Sequence, residues 1–177
     1  RTVNINLSID GIGKVNDYVR APSEWATVED AVKQWLIEEK DYPNKFVVKW
    51  APCISVYNVW QFDKMIDWWF TLQTSIKEKN WWDSITHTQH NGEVEVSQLT
   101  SVVNIVHDPK YLSASLYPNK SELTDRLLIS KRKYIAQIKE AIADEKDRWA
   151  VELHIEGMYN KVIGALRTDL DIAQLKT

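Results

Sequence analysis

The chain has 177 residues, 44% of them apolar, which suits a single globular domain able to bury its own core. Its formal net charge of −3 gives no overall attraction to nucleic acid or anionic lipid, so any such binding needs a local basic patch. One cysteine, Cys53, excludes an internal disulfide framework, and no apolar run of about twenty residues provides a transmembrane helix.

Five glycines and five prolines are too few to punctuate a many-stranded sandwich or barrel, which predicts long helices. Residues 1–22 read as an N-terminal arm, extended or irregular. In it Val3, Ile5, Leu7 and Ile9 alternate with polar residues until Gly11 and Gly13 interrupt. Arg1 in place of methionine fits a processed or trimmed chain. A helical bundle over 23–177 follows, opened by Pro22-Ser23. Trp25, Val28, Val32, Trp35 and Leu36 then recur at helical steps, and Tyr42-Pro43-Asn44 ends the helix.

Residues 46–57 have strand-like composition in Phe46-Val47-Val48 and Ile54-Ser55-Val56-Tyr57. Pro52 breaks the run, so the segment reads as an extended connection with Cys53 as a buried, inert thiol. A second helix is predicted from about Asn58 to Lys79, with Phe62, Met65, Ile66, Trp69, Gln73 and Ile76 on one side and Trp68 turned to another. Asn80 then caps a short helix carrying Trp81, Trp82 and Ile85, which ends before Asn91-Gly92. Glu93-Val94-Glu95-Val96 alternates like a strand. Leu99, Val102, Val103 and Val106 instead place a helix over 97–106, stopped by His107-Asp108-Pro109. From Ser121 onward there is no proline, and Leu127, Ile135, Ile138, Ile142, Trp149, Leu153, Ile163, Leu166 and Leu170 keep a helical rhythm. A continuous helix of that length would span roughly 75 Å, so a break is expected at Asp144-Glu145-Lys146-Asp147 or at Gly157 and Gly164. The expected fold is all-α.

Candidate chemistry is sparse. His87 and His90 stand three apart, a spacing that can hold a metal with Glu93 or His107; solvated histidines at a helix C-terminus are the preferred reading. Gly11-Ile12-Gly13-Lys14 is a fragment of a phosphate-binding loop without the required spacing, and reads as a hinge in the arm. Glu38-Glu39 and the pair Asp169 and Asp171 read as solvated faces. Lys131-Arg132-Lys133, with Tyr134 and Arg126, is a local cationic cluster on a helix that also carries acids. Arg1, Lys14, Arg20, Lys45 and Lys49, the last two interleaved with Phe46 and Trp50, are the candidate nucleic-acid contacts. No catalytic, cofactor or metal motif stands out.

Nine tryptophans are the most distinctive feature, because each indole brings a large rigid apolar area with one N–H that needs a partner. Trp35 and Trp69 are expected in the core, and Trp68, Trp81 and Trp82 are the candidate interface with other subunits or a partner. In size, helical order and aromatic richness the chain resembles the major coat proteins of filamentous enveloped archaeal viruses, the lipothrixvirus-like capsid proteins. That resemblance implies a non-enzymatic structural subunit of the virion. It would pair with itself or a related coat subunit, wrap double-stranded DNA through its N-terminal region and lie near a lipid envelope. A helical adaptor or inhibitor docking one protein through a Trp-rich face is the alternative reading, and an enzyme built on His87 and His90 the least favoured.

Overall fold

The computed structural model describes residues 2–84, 87–88, 94–95 and 101–168. It is mostly helical, but it is not the all-α bundle that the periodicity predicts. Strand β1 (Val3–Leu7) leads into helices α1 (Lys14–Val19) and α2 (Trp25–Asp41), then strands β2 (Phe46–Trp50) and β3 (Cys53–Ile54). Helix α3 (Phe62–Lys77) follows, then the short strands β4 (His87–Thr88), β5 (Val94–Glu95) and β6 (Asn104–Ile105), and finally α4 (Lys120–Ala141) and α5 (Glu145–Arg167).

The strand-like composition on either side of Pro52 forms strands because two other segments lie beside it. β1 pairs with β2 in parallel, from Val3 opposite Phe46 to Leu7 opposite Trp50. β3 pairs with β6, also in parallel, and a bridge joins Trp50 to Ser101. The amides of Val102, Asn104 and Val106 donate to the carbonyls of Trp50, Pro52 and Ile54, so the segments 3–7, 46–54 and 101–106 lie side by side in chain order. Residues 101–106 are therefore extended, not helical as expected. Val102, Val103 and Val106 are β-branched and stiff at χ1, which suits a pleated ladder better than a helix once a partner strand is at hand. His87–Thr88 is likewise strand, paired antiparallel with Val94–Glu95, where a helix end was expected; Leu99 and the Asn91-Gly92 signal lie outside the described residues.

Strand alternation sorts the parallel segments into two unlike faces. Val48, Trp50, Pro52, Ile54, Ser101 and Val103 are buried on one face, with Ile5 and Leu7 half-buried beside them. Helices α2, α3 and α5 pack there through Val32 and Leu36, Phe62, Met65, Ile66 and Trp69, and Val151, Ile155, Tyr159 and Val162. On the other face Asn4, Asn6, Val102 and Asn104 are exposed, and Lys49, Ala51 and Cys53 half-buried. Only Val47 is buried there.

The expected arm is thus built into the fold: β1 is paired, Ile9 belongs to the core and Asp10 is buried. The long C-terminal rhythm breaks at the polar run, not at the glycines. Asp144 caps α5 by accepting a hydrogen bond from the Asp147 amide at 2.9 Å, while Gly157 and Gly164 stay inside the helix. α3 ends where Glu78 takes a left-handed conformation at φ 54°.

Of the charges expected on solvated faces, Glu38 is exposed but Glu39 turns inward. Glu39 is buried and meets Lys77 at 2.7 Å, tying α2 to α3. Burial pushes the Lys77 ammonium below its ordinary value, and Glu39 beside it opposes the shift. The cationic cluster stays at the surface, where Lys133 pairs with Asp67 at 3.1 Å, Lys131 donates to Asn160, and Arg126 pairs with Asp63 at 2.9 Å.

Tryptophan placement divides unevenly. Trp69 is fully buried, as its phase on α3 predicts, but Trp35 is 39% exposed, because it sits at the border of the α2 stripe, where its ring lies edge-on to Phe46. Trp81 is buried, stacked on Phe70 at 4.3 Å and edge-on to Tyr134. Trp68 donates its indole N–H to Glu29 and lies edge-on to Trp25, and Trp82 is half-buried against Trp81.

Candidate functional site

The densest polar cluster lies where β1 and β3 end and the chain turns toward its helices. Leaving β1, Ser8-Ile9-Asp10-Gly11-Ile12-Gly13 is fastened at several points rather than hinged. The Trp50 indole N–H donates to the Ile9 carbonyl at 2.9 Å. Asn58, fully buried, donates from Nδ2 to the carbonyls of Asp10 (2.5 Å) and Cys53 (2.8 Å) and accepts from the Ser55 amide at 2.7 Å. Gln61 accepts from the Ile12 amide at 3.2 Å and donates to its carbonyl. Two glycines fit this path. A Cβ on Gly11 would meet Val15 Cγ1 at 2.8 Å, and Gly13 has φ +57°, where residues with a side chain are strained.

Asp10 is the centre of the cluster. Its Oδ1 accepts from the Cys53 amide at 2.7 Å and its Oδ2 meets Arg20 Nη2 at 2.5 Å. The same Arg20 nitrogen donates to Ser8 Oγ at 2.8 Å. A guanidinium carries five N–H donors. Nη2 makes both contacts and the Arg20 side chain is 43% exposed, so among the described residues the Nε and Nη1 protons are left for something else. Burial pushes the Cys53 thiol above its ordinary value, and Asp10 adds to the shift. The thiol is half-buried on the open face of the sheet, not buried as expected, and its raised value disfavours the nucleophilic thiolate.

A second feature lies between β6 and α5, a groove of about 330 Å³ lined by Val102, Ala150, Leu153, Met158 and Lys161 among others. At its floor Ser101 Oγ is 2.9 Å from His154 Nε2 and 2.9 Å from Met158 Sδ. Burial lowers His154 from 6.5 to about 4, so the ring is a neutral hydrogen-bonding partner at ordinary pH. In the unfolded chain it takes up a proton near pH 6.5, so the stability that depends on the neutral ring is present above that pH. It is lost as pH falls toward 4, by roughly 3 kcal/mol in all. Thermal melts between pH 7 and 4 should show this loss, and His154→Gln should lack that part of it. Equal pH dependence in the two proteins refutes the assignment.

The residues expected to meet nucleic acid do not form one stripe. Arg20 and Lys14 lie past the carboxyl end of β1, Lys45 at the amino end of β2 with its ammonium 5.4 Å from the Tyr42 ring, and Lys49 on the open face of the sheet. Arg1, His90, Glu93, Asp169 and Asp171 lie outside the described residues. Among the described residues no three His, Cys, Asp or Glu side chains converge to hold a metal, and no helix is long and apolar enough to cross a membrane. Spacing arguments missed the roles of Asp10, Asn58 and Gln61; the signal available was three polar residues at the ends of apolar runs.

No family model, curated protein or solved structure matches the chain.

Proposed function

We propose that this chain is a small-ligand-binding α/β unit, with its site on the helix-free face at the carboxyl ends of the parallel strands, and that it takes a small anion bearing a carboxylate or phosphate. The observation that carries the reading is Arg20. It stands at the rim with Nη2 fixed by Asp10 and Ser8 and its remaining donors free among the described residues. A guanidinium held in this way is pre-organised for a planar or tetrahedral anion, since little further side-chain freedom is lost on binding. Ligands of open parallel sheets sit in the crevice outside the carboxyl ends of the strands, which is where this cluster lies. Lys49 adds positive charge to the same face, and Asn6 and Asn104 add neutral donors and acceptors.

The test is an NMR titration of the protein with inorganic phosphate and with succinate. Shifts are expected at Ser8, Arg20 and Cys53, with affinity about ten-fold weaker in Arg20→Lys, which keeps the charge but loses the fork. Shifts scattered over the surface, or equal affinity in Arg20→Lys, would sink the proposal.

Self-assembly as a coat subunit is a second reading, favoured by one observation. Trp149 and Leu153 are 62% and 51% exposed on α5, next to Val102 and the groove, a large apolar patch of the kind that subunits cover. Arg1, Lys14, Arg20, Lys45 and Lys49 would then be the contacts to DNA phosphates. Light scattering of the same samples with and without mixed-sequence DNA distinguishes the two readings, since only a coat subunit grows in mass.

A further inference from the structure

We propose that β1 is an interior strand of a wider parallel sheet, and that its outer edge holds a further uncharged β-strand running parallel to it. The inference stands independently of the ligand reading.

The ladder fixes which groups are available. The Val3 amide donates to the Lys45 carbonyl at 2.8 Å and the Leu7 carbonyl accepts from the Ala51 amide at 2.8 Å. Odd-numbered residues of β1 therefore turn their amide groups toward β2. Asn4, Asn6 and Ser8 turn theirs outward, and among the described residues nothing pairs with them. Such a row of unpaired N–H and C=O groups is a template for another strand.

Edges meant to stay free are guarded by lysine, proline, bulges or extreme shortness. β1 has none of these guards. It reads Val-Asn-Ile-Asn-Leu and keeps an unbroken five-residue register. The opposite edge is different, because β6 is only two residues long.

Side-chain burial points the same way. Val3 is 51% exposed, and Ile5 and Leu7 are only half-buried although they lie on the helix-covered face. A neighbouring strand with apolar side chains level with these three would complete that layer. Its alternate side chains, polar or small, would extend the row of Asn4 and Asn6. All-parallel sheets are normally covered on both faces or closed on themselves. A sheet of three parallel segments that the described helices cover on one face fits as one arc of a larger sheet curving around its polar side.

The test uses the polypeptide purified under native conditions from cells that make it. Hydrogen exchange at the Asn4, Asn6 and Ser8 amides is expected to be at least about 100-fold slower than in an unstructured peptide. Asn6→Pro, which removes an outward donor, should then lower the melting temperature as much as Ile5→Pro, which removes an inward one. Unprotected exchange at Asn4 and Asn6, or an Asn6→Pro protein as stable as the parent, overturns the proposal. Protection that disappears as a homodimer dissociates also overturns it, in favour of antiparallel pairing between two copies of β1.

Discussion

Trp50→Ala is expected to cost about 3–5 kcal/mol from the lost indole and its cavity alone. The indole is fully buried on the middle strand of the parallel set and packs against Trp69 with ring centroids 6.1 Å apart. Its N–H also supplies the hydrogen bond that holds the Ile9 carbonyl, and leaving that buried acceptor unpaired adds roughly 1–3 kcal/mol. The total is comparable with the whole stability of a typical domain, about 5–15 kcal/mol. Trp50→Phe separates the two contributions, because it keeps most of the ring and loses the donor. Urea denaturation should therefore rank parent, Trp50→Phe and Trp50→Ala in that order, with Trp149→Ala within about 0.5 kcal/mol of the parent, since Trp149 is mostly exposed. Equal losses in Trp50→Ala and Trp149→Ala would show that burial in this core does not govern stability.

Helices with a one-sided apolar stripe were legible from periodicity. In α3, Phe62, Met65, Ile66 and Trp69 are all buried, and the break before α5 coincides with a polar run that supplies its own cap at Asp144. Strands were harder for a physical reason. A helix closes its hydrogen bonds locally, so four or five residues announce it, whereas 101–106 is extended only because the segment 50–54, about fifty residues earlier, offers its carbonyls. The same four positions of Leu99, Val102, Val103 and Val106 fit a helical stripe, and the sequence contains nothing that names their partner. The alternation in Val3–Leu7 marks β1 as extended, but nothing local marks β2 as its partner. Between them lie α1 and α2, and parallel pairing needs such a crossover.

The tryptophans divide for a related reason. Adjacent indoles on one helix point in different directions, so Trp69 is expected in the core and Trp68 at an interface, with Trp81 and Trp82 both assigned to that interface. The fold instead uses Trp81 against Phe70 and Tyr134 and gives Trp68 a carboxylate on α2. An indole at the border of a stripe, like Trp35, needs only a shift of one helical position to change sides. Charge was misread for the opposite reason. Glu39 and Lys77 each look solvated alone, and only the packing of α2 on α3 makes them a pair.

The candidate site rests on Asn58, and replacing it should have the widest consequences. Asn58→Leu removes two donors and one acceptor from a fully buried position, leaving the carbonyls of Asp10 and Cys53 and the Ser55 amide without this partner. At about 1–3 kcal/mol for each orphaned group, and allowing for partial relaxation, the loss should be roughly 3–6 kcal/mol. Asn58→Asp keeps the shape but turns a carboxylate toward two carbonyl oxygens, so it should be at least as damaging near neutral pH, where the carboxylate is charged. The loss should also reach the rim. Asp10 is held by its own backbone through Asn58, and it in turn holds Arg20, so in whatever fraction stays folded the anion affinity assigned to Arg20 should fall with the latch. Denaturant melts measure the first effect and phosphate titration in a stabilising osmolyte the second. An Asn58→Leu protein within about 1 kcal/mol of the parent would mean that water replaces the side chain, and that Trp50, Gln61, the Cys53 amide and Arg20 suffice to fix the loop between β1 and α1.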